Sequence, residues 1–127
     1  MSGVVLDASA VLALLQDEPG ASVVEQHLGQ AILSTVNWAE VAGALDARGL
    51  PPPPLRQALE ALGIEFRAFD VEPADEAGSL WRATRSTGLS PADRACLAVA
   101  RSLGLPALTA DRAWLDLDVG VEVRCIR

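Results

Sequence analysis

The 127 residues are half hydrophobic and carry a net charge of −7, which suits one domain with a real core and excludes a disordered chain. The acidity argues against a broad nucleic-acid surface, which is normally basic. All ten basic residues are Arg, so chemistry that needs a lysine, a P-loop included, is excluded.

Val4, Val5 and Leu6 form a short apolar run that reads as a buried strand. It ends at Asp7. Ala8 to Leu15 reads as a helix, stopped by Asp17-Glu18-Pro19-Gly20. Ala21 to Leu28 forms a second helix, closed by Gly29. Ala31 to Ser34 is the next strand, and Thr35 to Arg48 a helix ended by Gly49. Four prolines follow, Pro51 to Pro54. They read as a stiff connector, with Pro54 in the first turn of a helix over Leu55 to Leu62. Ile64 to Phe69 alternates and suits an edge strand. Pro73 to Thr87 is read as helical up to Gly88. Ser90-Pro91-Ala92-Asp93 opens another helix with a cap, a first-turn proline and an acid three residues after the cap. That helix closes at Gly104. Pro106 to Ala110 is a strand running into Asp111, followed by a short helix over Arg112 to Leu115. Val119 to Ile126 supplies the last strand.

This alternation predicts a three-layer α/β/α domain spanning residues 1–127, with a central, mostly parallel sheet. In such sheets the functional crevice lies beyond the carboxyl ends of the strands. No apolar run approaches the roughly 18 residues of a membrane helix. The N-terminus resembles no signal peptide, and Cys96 and Cys125 form no CxxC pair and read as reduced core residues. A cytoplasmic protein is the expectation.

Four acids fall where that crevice should lie. Asp7 and Asp111 each follow a strand directly. Asp93 lies in a first helical turn and shares a helical face with Cys96, Leu97 and Ala100. Glu40 shares one with Val36, Gly43, Ala44 and Ala47. Asp93 and Glu40 are therefore expected to face inward, where a lone carboxylate is costly. Each acid has a local alternative as a helix cap: Asp7 and Asp111 as N-caps, Glu40 with Asn37 and Asp93 with Ser90 as capping boxes. Capping does not explain why all four should gather at one edge of one sheet. Two carboxylates ~6 Å apart repel by roughly 3 kcal/mol at an effective dielectric near 20. A hard divalent cation, Mg²⁺ or Mn²⁺, is the natural remedy.

Asp7 in Val-Leu-Asp-Ala-Ser-Ala, Glu40 in Asn-Trp-Ala-Glu-Val, Asp93 in Ser-Pro-Ala-Asp-Arg-Ala and Asp111 in Leu-Thr-Ala-Asp-Arg-Ala-Trp together resemble the PIN-domain ribonucleases. The resemblance is closest to VapC-like toxins of bacterial type II toxin–antitoxin systems. It implies a Mg²⁺- or Mn²⁺-dependent endoribonuclease whose products carry a 3′-hydroxyl and a 5′-phosphate. Asp7 and Asp93 would ligate the metal, and Glu40 and Asp111 would complete the site directly or through water. Ser9 and Thr109 would be supporting hydroxyls and Asn37 an outer polar group. The resemblance also implies tRNA or rRNA as substrate, a homodimer, and a cognate antitoxin that blocks the acidic site. Asp116 and Asp118 lie beyond the last matched acid and read as solvated.

Arg82, Arg85, Arg94 and Arg112 lie near the motifs in sequence and form a candidate phosphate track. Trp38, Trp81 and Trp114 are candidate interface anchors, with core packing as the alternative for Trp38 and Trp114. Other classes fit less well. A receiver domain needs a lysine. A dehalogenase-like phosphatase needs an acid where Ser9 stands. A Ser–His–Asp hydrolase would have to recruit His27 from a polar segment. A non-catalytic PIN-type binding module would not need all four acids.

Overall fold

Val4–Leu6 forms strand β1, buried on both faces at the middle of the sheet, in the computed structural model, which describes residues 3–127. β2 (Ala31–Ser34) pairs parallel on one side of it, with Val4 opposite Ala31, and β4 (Ala107–Thr109) on the other, with Val5 opposite Ala107. β3 (Glu65–Arg67) lies outside β2 and β5 (Val123–Cys125) outside β4. The order is β3-β2-β1-β4-β5 and every pairing is parallel.

Alternate residues of the strands feed two cores. Val4, Leu6, Ala31, Leu33 and Leu108 pack with Val11, Ala13, Val24, Val41, Leu45 and Leu59. These come from α1 (Ala8–Leu15), α2 (Ala21–Glu25), α3 (Thr35–Ala47) and α4 (Pro52–Ala61). Val5, Ile32 and Ala107 point the other way, onto Ala77, Leu80, Cys96, Leu97, Ala100 and Trp114. That layer is built from α5 (Val71–Ser79), α6 (Trp81–Thr84), α7 (Pro91–Leu103) and a 3₁₀ turn over Arg112–Asp116. The three-layer architecture predicted from the alternation is the one observed. No described helix is long and apolar enough to cross a membrane.

Several boundaries differ from the sequence reading. Pro52, Pro53 and Pro54 belong to α4 as its first three residues, with Pro51 at the N-cap. The first-turn amides of a helix have no intrahelical acceptor, so prolines there remove no bond. The span Pro73 to Thr87 is not one helix. It starts at Val71, breaks at Leu80 and finishes as a 3₁₀ turn over Arg85–Thr87. Thr84 Oγ1 donates to the Leu80 carbonyl at 2.7 Å, a side-chain bond of the kind that competes with the helical ladder. The last strand is three residues rather than the whole of Val119 to Ile126, because β4 offers only Ala107, Leu108 and Thr109 as partners. The second helix likewise stops at Glu25 and gives way to a 3₁₀ turn over Leu28–Gln30.

One feature of this order positions the site. From β1 the chain moves outward through β2 to β3, then crosses back to lay β4 on the other side of β1. The reversal leaves a crevice above the carboxyl ends of β1 and β4, between the two helical layers.

Candidate metal centre

Asp7 stands at the end of β1, at that reversal. It occupies the N-cap position of α1, yet its side chain makes no capping bond. Its Oδ2 instead accepts from Ser9 Oγ at 2.6 Å and from Thr109 Oγ1 at 3.0 Å. The same two hydroxyls accept backbone amides of the segment after β4: Ala110 N–H to Ser9 Oγ at 2.9 Å and Asp111 N–H to Thr109 Oγ1 at 3.0 Å. Each hydroxyl thus has its orientation fixed and gives its hydrogen to Asp7. The other oxygen, Oδ1, is buried with no hydrogen-bond partner among the described residues. Asp7 as a whole is only 4% exposed. An ionised oxygen left unpaired there is costly, so Oδ1 is an atom that could take a positive partner.

Asp93 enters from the other layer. Ser90 caps α7 by accepting the Asp93 amide at 3.1 Å, and Asp93 Oδ2 in turn accepts the Ser90 amide at 2.9 Å. The capping reading is therefore correct for Asp93, and it does not exclude a second role. One carboxylate oxygen of each of Asp7, Glu40 and Asp93 lies within 4.8 Å of the others. Glu40 reaches the group from α3, one turn beyond Asn37. The Asn37 side chain is buried and donates to the Ala92 carbonyl at 3.0 Å, next to Asp93. Glu40 therefore does not complete a capping box with Asn37, since the N-cap of α3 is Ser34, which accepts the Val36 amide.

The expectation that Glu40 faces the core is corrected. Its side is exposed, and α3 buries Asn37, Val41 and Leu45 instead. Gly43, Ala44 and Ala47, the neighbours that suggested a buried face, are too small to mark one. Asp93 is half-buried at the rim. Asp111 is exposed, and its Oδ1 caps the following turn by accepting the Ala113 amide at 3.0 Å. It lies outside the group of three but lines the same cleft, of about 320 Å³, with Asp7, Ser9, Glu40 and Asp93. Ala8 and Leu12, which the sequence reading did not single out, form the apolar part of that wall. Their four-residue spacing on α1 was the available signal.

Electrostatics bears out the crowding. Burial holds the Asp7 carboxyl above its ordinary value, against the pull of its two hydroxyl donors, and the charge of Asp93 adds to the effect. Glu40, exposed overall, is raised first by the partial desolvation of its carboxyl and then by Asp7 and Asp93. The wholly buried Cys96 thiol is pushed well above its normal range by burial, and next by the same three acids. Cys96 therefore sits beneath the cluster and takes no part as a thiolate. The donor set is all carboxylate, partly preorganised and strongly negative. It fits a hard, oxygen-preferring divalent cation.

The other candidates divide. None of Arg82, Arg85, Arg94 and Arg112 lines the cleft. Arg94 Nε donates to Thr84 Oγ1, and Arg112 turns away to the Arg127 carbonyl. Trp114 is fully buried, Trp38 meets Phe66 edge-on at 5.4 Å between ring centroids, and Trp81 is 51% exposed. His27 bonds to the Val23 carbonyl one turn back. Asp116 and Asp118 are exposed, and Cys125 is half-buried with its Sγ 3.7 Å from the Asp111 carbonyl.

The family model for the PIN domain matches residues 4–120. No curated protein matches the chain by sequence. Among solved structures, a toxin–antitoxin complex from Klebsiella pneumoniae superposes with a TM-score of 0.77 at 18% identity, covering 98% of each chain. A DNA-bound VapBC from Salmonella typhimurium gives 0.73 at 16% identity over 100% of both chains. VapC20 of Mycobacterium tuberculosis, described as a toxin that cleaves the sarcin-ricin loop, gives 0.70 at 16% identity over 94% of this chain and 99% of its own. At these identities the likeness is one of fold.

Proposed function

The chain belongs to the PIN-domain family, and from that premise we propose that it is a divalent-cation-dependent endoribonuclease, the toxin of a type II toxin–antitoxin pair. The observation that carries the proposal is the group formed by Asp7, Glu40 and Asp93 at the chain reversal, with the buried Asp7 Oδ1 unpartnered. Asp7 and Asp93 would hold Mg²⁺ or Mn²⁺ directly, with Glu40 and Asp111 completing the shell directly or through water. When bound, the cation supplies Lewis acidity toward a phosphodiester and lowers the pKa of water beside it.

The protein's own groups do the rest. Ser9 and Thr109 fix Asp7 Oδ2 and so leave Oδ1 for the ligand. Asn37 holds the helix carrying Glu40 against the start of the helix carrying Asp93. The Glu40 carboxylate, exposed and with raised proton affinity, takes the proton of the attacking water. Asp111 lines the outer rim, on the side open to a large substrate.

An antitoxin partner is supported by the solved complexes of similar fold, which are toxin–antitoxin assemblies. A net charge of −7 suits a basic partner segment. Residues 1–127 acting as one domain, a homodimer, a cytoplasmic site of action and tRNA or rRNA as substrate belong to the same proposal. The test is RNA cleavage by the purified protein with Mg²⁺ or Mn²⁺, compared with Asp7→Asn and Asp93→Asn. Loss of cleavage in both variants, and with chelator, is the expected result; activity that survives both substitutions rejects the proposal.

A further inference from the structure

An acidic cluster repels the phosphates it is meant to cut, so an RNA strand needs a cationic hold close by. The positive charge on this protein is unevenly distributed. Arg56, Arg67, Arg124 and Arg127 are neutralised by Glu60, Glu65, Glu122 and Glu18. Arg82, Arg85 and Arg94 form no ion pair among the described residues. Between Leu80 and Ala92 the chain carries two arginines and no acid, the reverse of its overall balance. That span is α6, the following 3₁₀ turn and the cap of α7.

The same span carries the exposed Trp81. The Arg85 guanidinium lies over its ring, 5.5 Å from the centroid, which restrains the indole while half of it stays open. Thr84 lies between them in sequence and is fully buried. Its hydroxyl receives Arg94 Nε at 2.8 Å. Arg94 follows Asp93 directly, so its Cα stands only ~3.8 Å from that of a cleft carboxylate residue. Arg94 therefore bridges the cationic span to the cleft. A flat aromatic surface with unpaired guanidinium groups beside it is the arrangement that holds single-stranded nucleic acid without reading its sequence.

We propose that Trp81, Arg82 and Arg85, joined to the cleft through Arg94, form a substrate track in which Trp81 stacks an unpaired base and the arginines hold the adjoining phosphates. The track rests on the endoribonuclease reading of the cleft. Arg112, tied to the Arg127 carbonyl, is not part of it. Trp81 becomes a residue that positions substrate rather than an anchor for a protein partner.

The experiment is binding of a short fluorescein-labelled single-stranded RNA to the full chain in chelator, so that no cleavage intervenes, followed by the anisotropy of the label over a salt series, with intrinsic tryptophan emission as a second readout for the wild type. RNA is expected to quench the wild-type emission. Trp81→Ala weakens binding about tenfold and Trp81→Phe restores most of it, as base stacking predicts. Arg85→Ala and Arg82→Ala each lower the slope of log affinity against log salt by about 0.7. With Mg²⁺ present, Trp81→Ala raises KM and leaves kcat nearly unchanged. Unchanged affinity and salt slope in these variants overturn the track. So does a Trp81→Ala protein that loses self-association while binding RNA normally, because the patch is then an interface between copies of the chain. Failure of the cleft reading looks different: RNA is bound and quenches Trp81, but cleavage is absent or survives Asp7→Asn.

Discussion

The Asn37 side-chain amide donates to the Ala92 carbonyl at 3.0 Å, joining α3 to the first turn of α7. Glu40 lies one turn beyond the donor and Asp93 one residue beyond the acceptor. Two acids from separate helices are thus held in register by a bond that involves neither. Asn37→Ala is expected to lower divalent-cation affinity by about tenfold to a hundredfold, as loss of a supporting partner does at metal sites. The stability cost should be only about 1 kcal/mol. Calorimetric titration with Mn²⁺ beside urea unfolding separates the two effects; equal affinity in the variant would show that the bond is structural alone.

Asp7 sets function against stability. Its carboxyl is raised in the folded protein, mainly by burial. The folded state therefore binds that proton more tightly than the unfolded chain does. The stability this proton contributes is present at low pH and is lost as pH rises from the unfolded carboxylate pKa through the raised folded one. At pH 7 the charged Asp7 is a burden, so Asp7→Asn should melt higher than wild type in metal-free buffer. The gain should shrink toward pH 4. A divalent cation should reverse the order, since a ligand at a hundred times its Kd stabilises the wild type by about 2.7 kcal/mol and leaves the variant unmoved. Thermal melts at the two pH values, with and without Mn²⁺, check this.

Asp111 is expected to behave unlike the other three acids. It is exposed, stands outside the close group and caps the following turn through Ala113. Asp111→Asn keeps the cap and should retain measurable cleavage where Asp7→Asn and Asp93→Asn do not. Asp111→Ala should lose, in addition, about 1 kcal/mol of stability. Single-turnover cleavage with parallel denaturant unfolding distinguishes rim from centre; equal loss in all the Asn variants would put Asp111 at the centre.

Gly20 makes a purely structural prediction. It turns the chain into α2 with φ of +97°, and a Cβ there would lie 2.7 Å from the Ile126 carbonyl oxygen. Backbone cannot yield as a flexible side chain can. Gly20→Ala should destabilise by roughly 1–3 kcal/mol, with cleavage at 25 °C retained. A shifted urea midpoint at unchanged slope is the expected signature.

The sequence carried much of this arrangement because Asp7 and Asp111 sit directly at strand ends, where α/β sheets place their chemistry, and because Ser90-Pro91-Ala92-Asp93 writes its own cap. Glu40 was legible as a member of the group but not in its exposure. Its neighbours Gly43, Ala44 and Ala47 satisfy an apolar pattern without committing to a core, whereas the buried Asn37 reads as polar. The proline run misled for the opposite reason: Pro52 and Pro53 look like a connector, yet they fall with Pro54 in the first turn, where no helical hydrogen bond exists to be broken. The order β3-β2-β1-β4-β5 lay beyond reach, since strand pairing depends on contacts far apart in the chain. Without that order the cleft could be expected but not located.

The reciprocal bonds between Ser90 and Asp93 have a kinetic meaning. Oδ2 of Asp93 is held by the amide that starts α7, so that carboxylate keeps its direction only while the first turn of the helix stays wound. Fraying of that turn and dismantling of the cleft are one opening event. A ligand that grips Asp93 must slow hydrogen exchange at the Ser90 and Asp93 amides, and a partner that unwinds those few residues would silence the site without ever entering it.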